Sequence, residues 1–413
     1  MSAVEPESNA TNNSNQKWLN RNVVGMGVTS LLADAGYEMA NAVLPSFLEV
    51  IGVSAAALGA IEGVADALSA AVKLGMGWYS DRIGHRKPIT VVGYFLTGVA
   101  KSLFAFATGW PLILVGRLVG WFGKGLRKPL RDALLTESVP PSARGKAFGF
   151  HRAGDTLGAI IGPLAGVLLL AWMQPHATDA SRPFRTIFLL TLIPGVGSGL
   201  AMLLMVRETR RRPSPAKFWT AIRSLPKPYL RFLTGVGIFG MGDFAHTLMI
   251  LAATQLLAPM HTLARAAEIA ALLYVVHNVV YAGASYPIGA LSDKIGRRGL
   301  LALGYVVGAL TAAGLAAAFL KNWNSWQYLA LLFALGGLYI AAEDALEGAT
   351  TADLITAETR GTAFGVTAAV NGIGDFVAST LTGFLWTAVS PVVAFAYAGV
   401  LMLAGAVVIY RVR

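Results

Sequence analysis

The sequence contains no cysteine and few charged residues. None of its 413 residues is Cys, and Asp, Glu, Lys and Arg together make up 13% of the chain, about half of the share that is typical of a soluble domain. The absence of cysteine excludes disulfide bonds and thiolate metal sites, and it leaves the redox compartment undetermined. The shortage of charge argues against a water-soluble fold. Hydrophobic residues account for 55% of the chain instead, and the mean hydropathy is +0.59.

Apolar stretches fill most of the chain, and each is about as long as the 20 residues that an α-helix needs to cross a bilayer. Apolar runs between charged, Pro or Gly breaks predict twelve helices. They cover residues 21–50, 54–80, 88–108, 111–136, 146–172, 184–206, 231–257, 265–291, 299–320, 326–350, 362–387 and 391–410. The sequence therefore predicts an all-α membrane protein with twelve transmembrane helices, and the lipid bilayer is an expected partner.

Positive charge lies mainly on one side of these predicted helices. The net charge of +11 would suggest nucleic acid as a partner of a soluble protein, but the Lys and Arg residues concentrate in alternate loops. The other loops hold only Arg182, Arg265 and Lys321. The positive-inside rule then predicts that both termini are cytoplasmic and that the protein lies in the inner membrane. Residues 1–17 lack the pattern of a signal peptide and are predicted to form a disordered cytoplasmic tail.

The chain divides into two related halves. A polar interruption over residues 207–230 is predicted to be a cytoplasmic linker between one six-helix bundle, 18–206, and another, 231–413. Three motifs recur in the same order at offsets of 209 to 216 residues. The matched pairs are Gly77–Lys87 with Gly289–Arg298, Arg144–Gly149 with Arg360–Gly365, and Ala33–Tyr37 with Gly242–His246. This internal repeat predicts two pseudo-symmetric bundles.

Ionisable side chains inside a membrane helix are costly, so each is a functional candidate or one half of a buried pair. Asp34 and Glu38 lie four residues apart on the first helix, as do Glu62 and Asp66 on the second, so each pair shares a helix face. Two neighbouring carboxylates in a low dielectric resist ionising together, which suits a proton carrier. Pairing with basic residues of the fourth helix is the alternative. Asp155 of the fifth helix is a further proton-coupling candidate.

The fourth helix carries a basic stripe. Arg117, Lys124, Arg127 and Arg131 recur at spacings of seven, three and four residues, so they share one face. If that face lines a cavity, it would attract an anionic substrate, which Arg can bind with two parallel hydrogen bonds. If it does not, the stripe would form salt bridges with the carboxylates of the first, second and fifth helices. Both interpretations are open at the level of sequence.

The two halves carry charges of opposite sign at corresponding helices, because the tenth helix is acidic and the fourth helix is basic. Asp243 and His246 share a face of the seventh helix, and a histidine near a carboxylate suits proton coupling between pH 5 and 8. No tight metal-ligand motif is present, so no metal site and no cofactor are expected. The substrate-binding candidates of the whole chain are Tyr37, Asn41, Lys124, Arg127, Arg131, His277, Asn278, Glu343, Glu347, Asn371 and Asp375.

The loop from Gly77 to Lys87 resembles the Gly-x-x-x-Asp-Arg-x-Gly-Arg-Arg signature of the major facilitator superfamily, with His85 in place of the first of two basic residues. The resemblance covers essentially the whole chain. It implies two six-helix bundles around a central cavity that opens alternately to each side, lined by the first, fourth, seventh and tenth helices. It also implies an interdomain charge cluster that breaks when the bundles rock. The gate candidates are Gly77, Asp81, Arg82, Gly84, Arg86, Asp293, Gly296 and Arg297.

Two more helices carry the resemblance. Arg117 with its neighbouring glycines resembles the family's buried-arginine motif, which is tied to proton transfer. The fifth helix fits the family's antiporter signature, Gly-x8-Gly-x3-Gly-Pro-x2-Gly, although a generic packing seam of small residues is the alternative interpretation. The residues of this motif are Gly149, Gly158, Gly162, Pro163 and Gly166.

These patterns predict a monomeric secondary transporter that works by alternating access. The expected function is proton-coupled antiport that exports a small organic molecule. Uptake or facilitated diffusion of an organic anion is the first alternative, and a non-transporting receptor or assembly factor on the same scaffold is the second. The chain has no nucleotide-binding loop and no nucleophile motif, so we do not expect an enzyme. The resemblance indicates the class of protein and leaves the substrate open.

Overall fold

The computed structural model describes residues 17–51, 55–208, 213, 217–261 and 263–411, without the side chains of some residues inside helices, among them 55–67. The predicted tail up to residue 16 and the Arg-rich part of the predicted linker lie outside the described residues. The side chains of the predicted proton-coupling residues Glu62 and Asp66 lie outside them as well.

Twelve long helical segments follow one another in the described part of the chain, which confirms the predicted fold class. A short helix, Phe218–Arg223, precedes the seventh. The segments are α1 (Arg21–Val50), α2 (Ala55–Ile83), α3 (Lys87–Ala100, extended by a 3-10 turn Ser102–Phe106), α4 (Trp110–Glu137), α5 (Arg144–Met173), α6 (Arg182–Leu190 and Leu192–Met205), α7 (Lys227–Gly240 and His246–Leu257), α8 (Leu263–Ile295), α9 (Arg297–Lys321), α10 (Trp326–Leu354), α11 (Arg360–Ala388) and α12 (Pro391–Arg411).

Six stretches of the described chain are long and apolar enough to cross a membrane by length and composition alone. They are 87–106, 141–176, 182–205, 297–321, 326–354 and 391–411. Helix α4 is not among them because its basic stripe places more than two charges in any span of bilayer length, and α7 is not because it is interrupted. The charges of α4 and the interruption of α7 therefore account for the absence of these two helices from the set.

The first six and last six helices form two bundles of matching arrangement. In the first bundle α1 packs against α5 and α6, and α3 packs against α4 and α6; in the second, α8 packs against α10 and α9 packs against α12. The second bundle has a continuous apolar core that includes Phe239 stacked on Tyr305, with ring centroids 3.6 Å apart. Each bundle thus has its own packed interior, as the sequence repeat predicts.

Helix α7 is interrupted between its two segments, where the sequence predicted one continuous helix over 231–257. Glycines at 240 and 242 weaken the helix at this point. Turn hydrogen bonds from Gly242 N–H to the Phe239 carbonyl and from Asp243 N–H to the Gly240 carbonyl, 2.8 and 3.1 Å long, satisfy part of the freed backbone. Broken membrane helices are tolerated where the irregular backbone lines a cavity. The interruption therefore places Asp243 in irregular backbone at membrane depth.

The antiporter-like glycines of α5 form a close packing seam. Gly158, Gly162 and Gly166 lie against the backbone carbonyls of Leu31, Ala35 and Met39 on α1. These contacts leave no room for a side chain, since a Cβ at Gly166 would lie 2.9 Å from the Met39 carbonyl oxygen. Near the other end of the same helix, Gly149 lies against the α8 backbone at Ser285 and Tyr286. Helix α5 therefore packs closely on both bundles.

Replacing a seam glycine should destabilise the first bundle. A Cβ in Gly162→Ala would collide with the Ala35 carbonyl and lie 2.9 Å from the Met39 amide nitrogen, so we expect a loss of about 1–3 kcal/mol. The matched control is Gly283→Ala on α8, where a Cβ meets nothing within 4 Å and alanine favours the helix by about 0.5–1 kcal/mol. Thermal unfolding of the purified protein in detergent measures both. Equal melting temperatures for the two variants would contradict the close packing.

Candidate functional site

The two bundles meet at one face of the membrane domain, which we call the terminal face because α1 begins there and α12 ends there. The extensive contacts between bundles are those of α2 with α11, α5 with α8, α5 with α10, and α4 with α11. Among the described residues, α1 and α2 make no extensive contact with the second segment of α7 or with α8. The molecule is therefore closed at the terminal face.

Asp81, at the end of α2, binds the start of α11 in the other bundle. Its carboxylate accepts hydrogen bonds from the backbone N–H groups of Gly361 and Thr362, at 3.0 and 2.7 Å, and from the Thr362 hydroxyl at 2.8 Å. Arg86 of the same loop also donates to Asp81, at 2.7 Å. The free N–H groups of a helix start carry partial positive charge, so a carboxylate is favoured there. Asp81 thus joins the two bundles through the α11 helix end.

Asp293, at the end of α8, makes the equivalent contact in the opposite direction. It accepts hydrogen bonds from the backbone N–H groups of Gly145 and Lys146 at the start of α5, at 2.9 and 3.0 Å. Arg297 donates to it at 2.7 Å. The two repeated motifs therefore bind each other crosswise, since each aspartate loop of one bundle holds the Arg-Gly-x-Ala-Phe-Gly helix start of the other.

Each contact is extended by further charges. Glu137, at the end of α4, pairs with Arg86 and lies 3.7 Å from Arg360 of the other bundle. Asp353, at the end of α10, pairs with Arg297 and, at 2.6 Å, with Arg144 of the other bundle. We call these groups the Asp81 cluster (Asp81, Arg86, Glu137, Arg360) and the Asp293 cluster (Asp293, Arg297, Asp353, Arg144).

Not all of the predicted gate residues lie in these clusters. Gly77 faces Gly361 at the close approach of α2 and α11. Gly84 and Gly296 form the turns after α2 and α8, with φ of 67° and 98° that only glycine adopts readily. Arg82 is exposed, and its guanidinium carbon lies 5.4 Å from the Trp78 ring centroid. The structure adds four charged residues that the sequence did not indicate as gate candidates: Glu137, Arg144, Asp353 and Arg360.

Aromatic side chains close the interface between the two clusters. Phe148 of α5 and Phe364 of α11 are 1% and 3% exposed, and their rings stack across the bundle boundary with centroids 6.1 Å apart. Such an apolar contact excludes water from the middle of the terminal face.

A cavity of about 410 Å³ lies between the bundles, deeper than these contacts. Most of its wall belongs to the second bundle, and the first contributes two small residues of α5. The residues that line it are Thr156, Ala159, Asp243, Phe244, Ala245, His246, Met249, Tyr274, His277, Asn278, Tyr281, Tyr339, Ile340, Asp344, Asp375 and Ser379. The predicted candidates Asp243, His246, His277, Asn278 and Asp375 are therefore together in one wall, beside the interruption of α7.

Carboxyl groups of the second bundle lie in and beside this cavity. Asp243 accepts a hydrogen bond from the Tyr339 hydroxyl at 3.0 Å. Glu347, 4% exposed, accepts from Tyr305 and from the Asn371 amide, the latter at 2.7 Å. Among the described residues, no Lys or Arg lies within ion-pair distance of Asp243, Glu343 or Glu347.

The first bundle has a carboxyl pair in Asp34 of α1, which matches Asp243 in the repeat, and Asp155 of α5. In contrast to the second bundle, basic residues flank the pair: Arg127 lies 3.8 Å from Asp34, and Arg152 lies 3.3 Å from Asp155. At Arg127 the structure therefore agrees with the interpretation in which basic residues of α4 form salt bridges with carboxylates of other helices.

The remainder of the basic stripe lies inside the first bundle. Arg127 and Arg131 are 3% and 4% exposed, and Arg131 pairs with the adjacent Asp132 at 2.8 Å. Lys124 is half-buried, with its ammonium 4.5 Å from the Trp121 ring centroid. None of these three side chains is among the described residues that line the cavity.

Arg117 and Lys101 converge on α1. Arg117 donates to the Asn41 side-chain oxygen at 3.1 Å and to the Tyr37 hydroxyl at 3.3 Å. Lys101, 2% exposed, donates to the same Asn41 oxygen at 2.9 Å, and its ammonium lies 3.9 Å from the Tyr37 ring centroid. Asn41 also donates to Glu38 at 3.4 Å. The predicted substrate-binding residues Tyr37 and Asn41 are therefore held by buried cations.

One ion pair joins the bundles at the cavity wall. Arg152 of α5 lies 3.0 Å from Asp344 of α10, and Asp344 also accepts a hydrogen bond from Tyr281 of α8. Since Arg152 contacts Asp155 as well, it connects the carboxyl pair of the first bundle to the cavity. Arg152, Asp344 and the three cavity tyrosines were not among the predicted site residues.

Comparison with known proteins agrees with this architecture. The family model described as Major Facilitator Superfamily matches residues 26–261 and 244–413. An uncharacterized MFS-type transporter of Methanocaldococcus jannaschii is 33% identical over 394 residues, 94% of each chain. Multidrug resistance protein MdtG of Escherichia coli is 26% identical over 68% of each chain.

Solved structures show the same fold at low sequence identity. FucP, the Escherichia coli fucose:proton symporter, in its outward conformation has a TM-score of 0.76 and 16% identity, covering 95% of this chain and 98% of its own. The family model matches both halves of the chain, and the Methanocaldococcus jannaschii relative is 33% identical over 94% of each chain. The chain is therefore a multi-pass membrane protein that belongs to the major facilitator superfamily.

Proposed function

We propose that the chain is a proton-coupled antiporter that exports a small organic molecule by alternating access. The observation that carries this proposal is Asp243, which lies in the interruption of α7, lines the cavity together with Asp344 and Asp375, and has no Lys or Arg in ion-pair distance within the described part of the chain. A carboxyl in such surroundings binds a proton reversibly, because neighbouring carboxylates in a low dielectric resist ionising together. Tyr339 donates a hydrogen bond to Asp243.

The closed terminal face supplies the conformational part of the proposal. With both termini in the cytoplasm, as the distribution of Lys and Arg favours, closure at the terminal face makes this the outward-facing state. In this state the cavity carboxyls would take up protons from outside. Because one chain supplies both bundles and the whole cavity, we propose a monomer in the inner membrane as the working unit.

Return to the inward-facing state requires that the bundles separate at the terminal face. The contacts that must break are those of the Asp81 and Asp293 clusters, together with the Arg152–Asp344 ion pair at the cavity. Arg152 contacts acids on both sides, so loading either Asp155 or Asp344 with a proton would weaken its hold on that side. We propose that this shared arginine couples protonation to the movement of the bundles.

Export as the direction of transport is supported by two observations of different kinds. The α5 glycine and proline pattern fits the antiporter signature, and in the structure those glycines form the α1–α5 seam. A relative with 26% identity carries the name multidrug resistance protein.

Uptake or facilitated diffusion of an organic anion is the second candidate, because α4 carries four basic residues on one face. The buried positions of Arg127 and Arg131 favour a structural role for that stripe. A counterflow assay distinguishes the candidates, since a facilitator exchanges its substrate without a proton gradient. A receptor or assembly role predicts that Asp34→Asn and Arg117→Ala retain biological activity, whereas either transport function predicts its loss.

Asp243→Asn should uncouple transport from protons. In proteoliposomes with an imposed pH gradient, a panel of cationic, neutral and anionic organic compounds identifies those that wild type accumulates. We expect the gradient-driven accumulation to fall roughly tenfold or more in Asp243→Asn, since about 1.4 kcal/mol of lost coupling corresponds to that factor. Exchange in counterflow should persist at substrate concentrations that saturate the variant.

The matched control is Asp179→Asn, the same chemical change at a residue in the loop between α5 and α6, where the side chain contacts Ser181. It should retain wild-type accumulation. If no compound that wild type transports responds to the pH gradient, proton coupling is wrong.

A further inference from the structure

The cavity wall carries negative charge. Asp243, Asp344 and Asp375 line the cavity, and its lining within the described residues includes no Lys or Arg. Asp344 pairs with Arg152 of α5 at 3.0 Å. Asp243 lies in the interruption of α7, and Asp375 of α11 lines the same cavity.

The same wall carries a stack of flat rings. The His246 and Tyr274 rings are nearly parallel, at 12°, with centroids 4.7 Å apart, and Tyr274 stacks on His277 at 5.4 Å and 23°. All three side chains line the cavity. His246 is the last ring of the stack and its side chain is exposed, so a ligand can reach the outer face of the His246 ring. Offset stacking on such a face favours a planar aromatic partner, and a cation is attracted to the faces of neighbouring tyrosines.

His277 anchors one end of the ring stack on α10. The side chain is 5% exposed and lines the cavity, and its Nδ1 lies against Gly336 of α10, where a Cβ would be 3.0 Å from it. The glycine thus makes room for the His277 ring, which holds the stack in place in the cavity wall.

We infer that the compound carried by this protein is an organic cation with a flat aromatic ring system. The acids bind its charge and the His246–Tyr274–His277 stack binds its ring. A volume of about 410 Å³ suits a molecule of drug-like size. The inference rests on the proposed antiport and specifies its substrate class. A proton and an organic cation would compete for the same carboxylates, and this competition is itself a means of exchange.

Matched acridines test the charge preference without any gradient. Binding of N-methylacridinium, a permanent cation, is compared with that of uncharged acridine at mildly alkaline pH and of acridine-9-carboxylate, using the purified full-length protein in detergent. The readouts are ligand fluorescence and the thermal shift, because a bound ligand raises apparent stability. We expect the cation to bind at least about tenfold more tightly than either analogue. Equal or tighter binding of the carboxylate, or no preference among the three, would overturn the inference.

Variants locate the binding site. Asp243→Asn and Asp375→Asn should each weaken N-methylacridinium binding roughly tenfold, and His246→Ala should weaken it several-fold while leaving the preference for the cation intact. Asp179→Asn is the control for loss of one negative charge. Binding that is unchanged in Asp375→Asn and in Asp243→Asn would contradict the assignment. If a variant fails to fold, the acridine series on wild type still decides the charge preference.

This experiment separates the two proposals. Binding of the cation at equilibrium does not depend on a proton gradient. If the protein prefers the cation but its transport does not respond to the pH gradient, the proposed substrate class stands and proton coupling is refuted. If transport responds to the pH gradient but the protein prefers acridine-9-carboxylate, proton coupling stands and the proposed substrate class is refuted.

Discussion

The structure depends on two reciprocal contacts between the bundles. In each of them an aspartate of one bundle binds the start of a helix in the other. Asp81 of the first bundle binds the N–H groups at the start of α11, and Asp293 of the second binds those at the start of α5. Both contacts combine a charge with a helix end, and each such contact is typically worth about 0.5–2 kcal/mol. Because they lie at one face only, they hold the bundles together there and leave the cavity on the other side of the interface.

Closure at the terminal face determines what the cavity can bind. It brings α5 against α8 and α10, so that the Arg152–Asp344 ion pair forms at the cavity wall and the rest of the wall consists of acids, tyrosines and histidines of the second bundle. Two basic residues of α4 interact within the first bundle instead, because Arg127 lies 3.8 Å from Asp34 and Arg117 donates to the Asn41 side-chain oxygen. The charged residues of α4 and α10 thus differ in position: Arg127 and Arg131 are buried in the first bundle, whereas Asp344 of α10 lines the cavity.

Sequence was sufficient for the fold and for half of the contacts that join the bundles at the terminal face. Hydropathy gave twelve helices, and the repeated loops identified Asp81 and Asp293, because these motifs are short, local and duplicated. Their partners were harder to find. Glu137 and Asp353 look like ordinary charges at helix ends, and only their separation of 216 residues, equal to that between Arg144 and Arg360, relates them to the repeat.

The cavity could be predicted only in part, for a physical reason. Helical periodicity shows which side chains share a face, but the neighbour of that face depends on packing. His277, Asn278 and Asp375 line the cavity, whereas Arg127 and Arg131, equally periodic, are buried in the first bundle. The interruption of α7 is encoded by glycines at 240 and 242, yet a chain with 46 glycines offers many such sites.

Asp81 and Asp293 hold the terminal face closed, and spin labels test this directly because a chain without cysteine can be labelled at chosen sites. One label pair, Ser142→Cys with Thr356→Cys, reports the terminal face, and another, Thr178→Cys with Lys321→Cys, reports the opposite face. Double electron–electron resonance compares each pair in the native background and with Asp81→Asn and Asp293→Asn combined. When both aspartates are neutralised, we expect a longer distance at the terminal face and a shorter one at the opposite face. Unchanged distance distributions at both faces would contradict it.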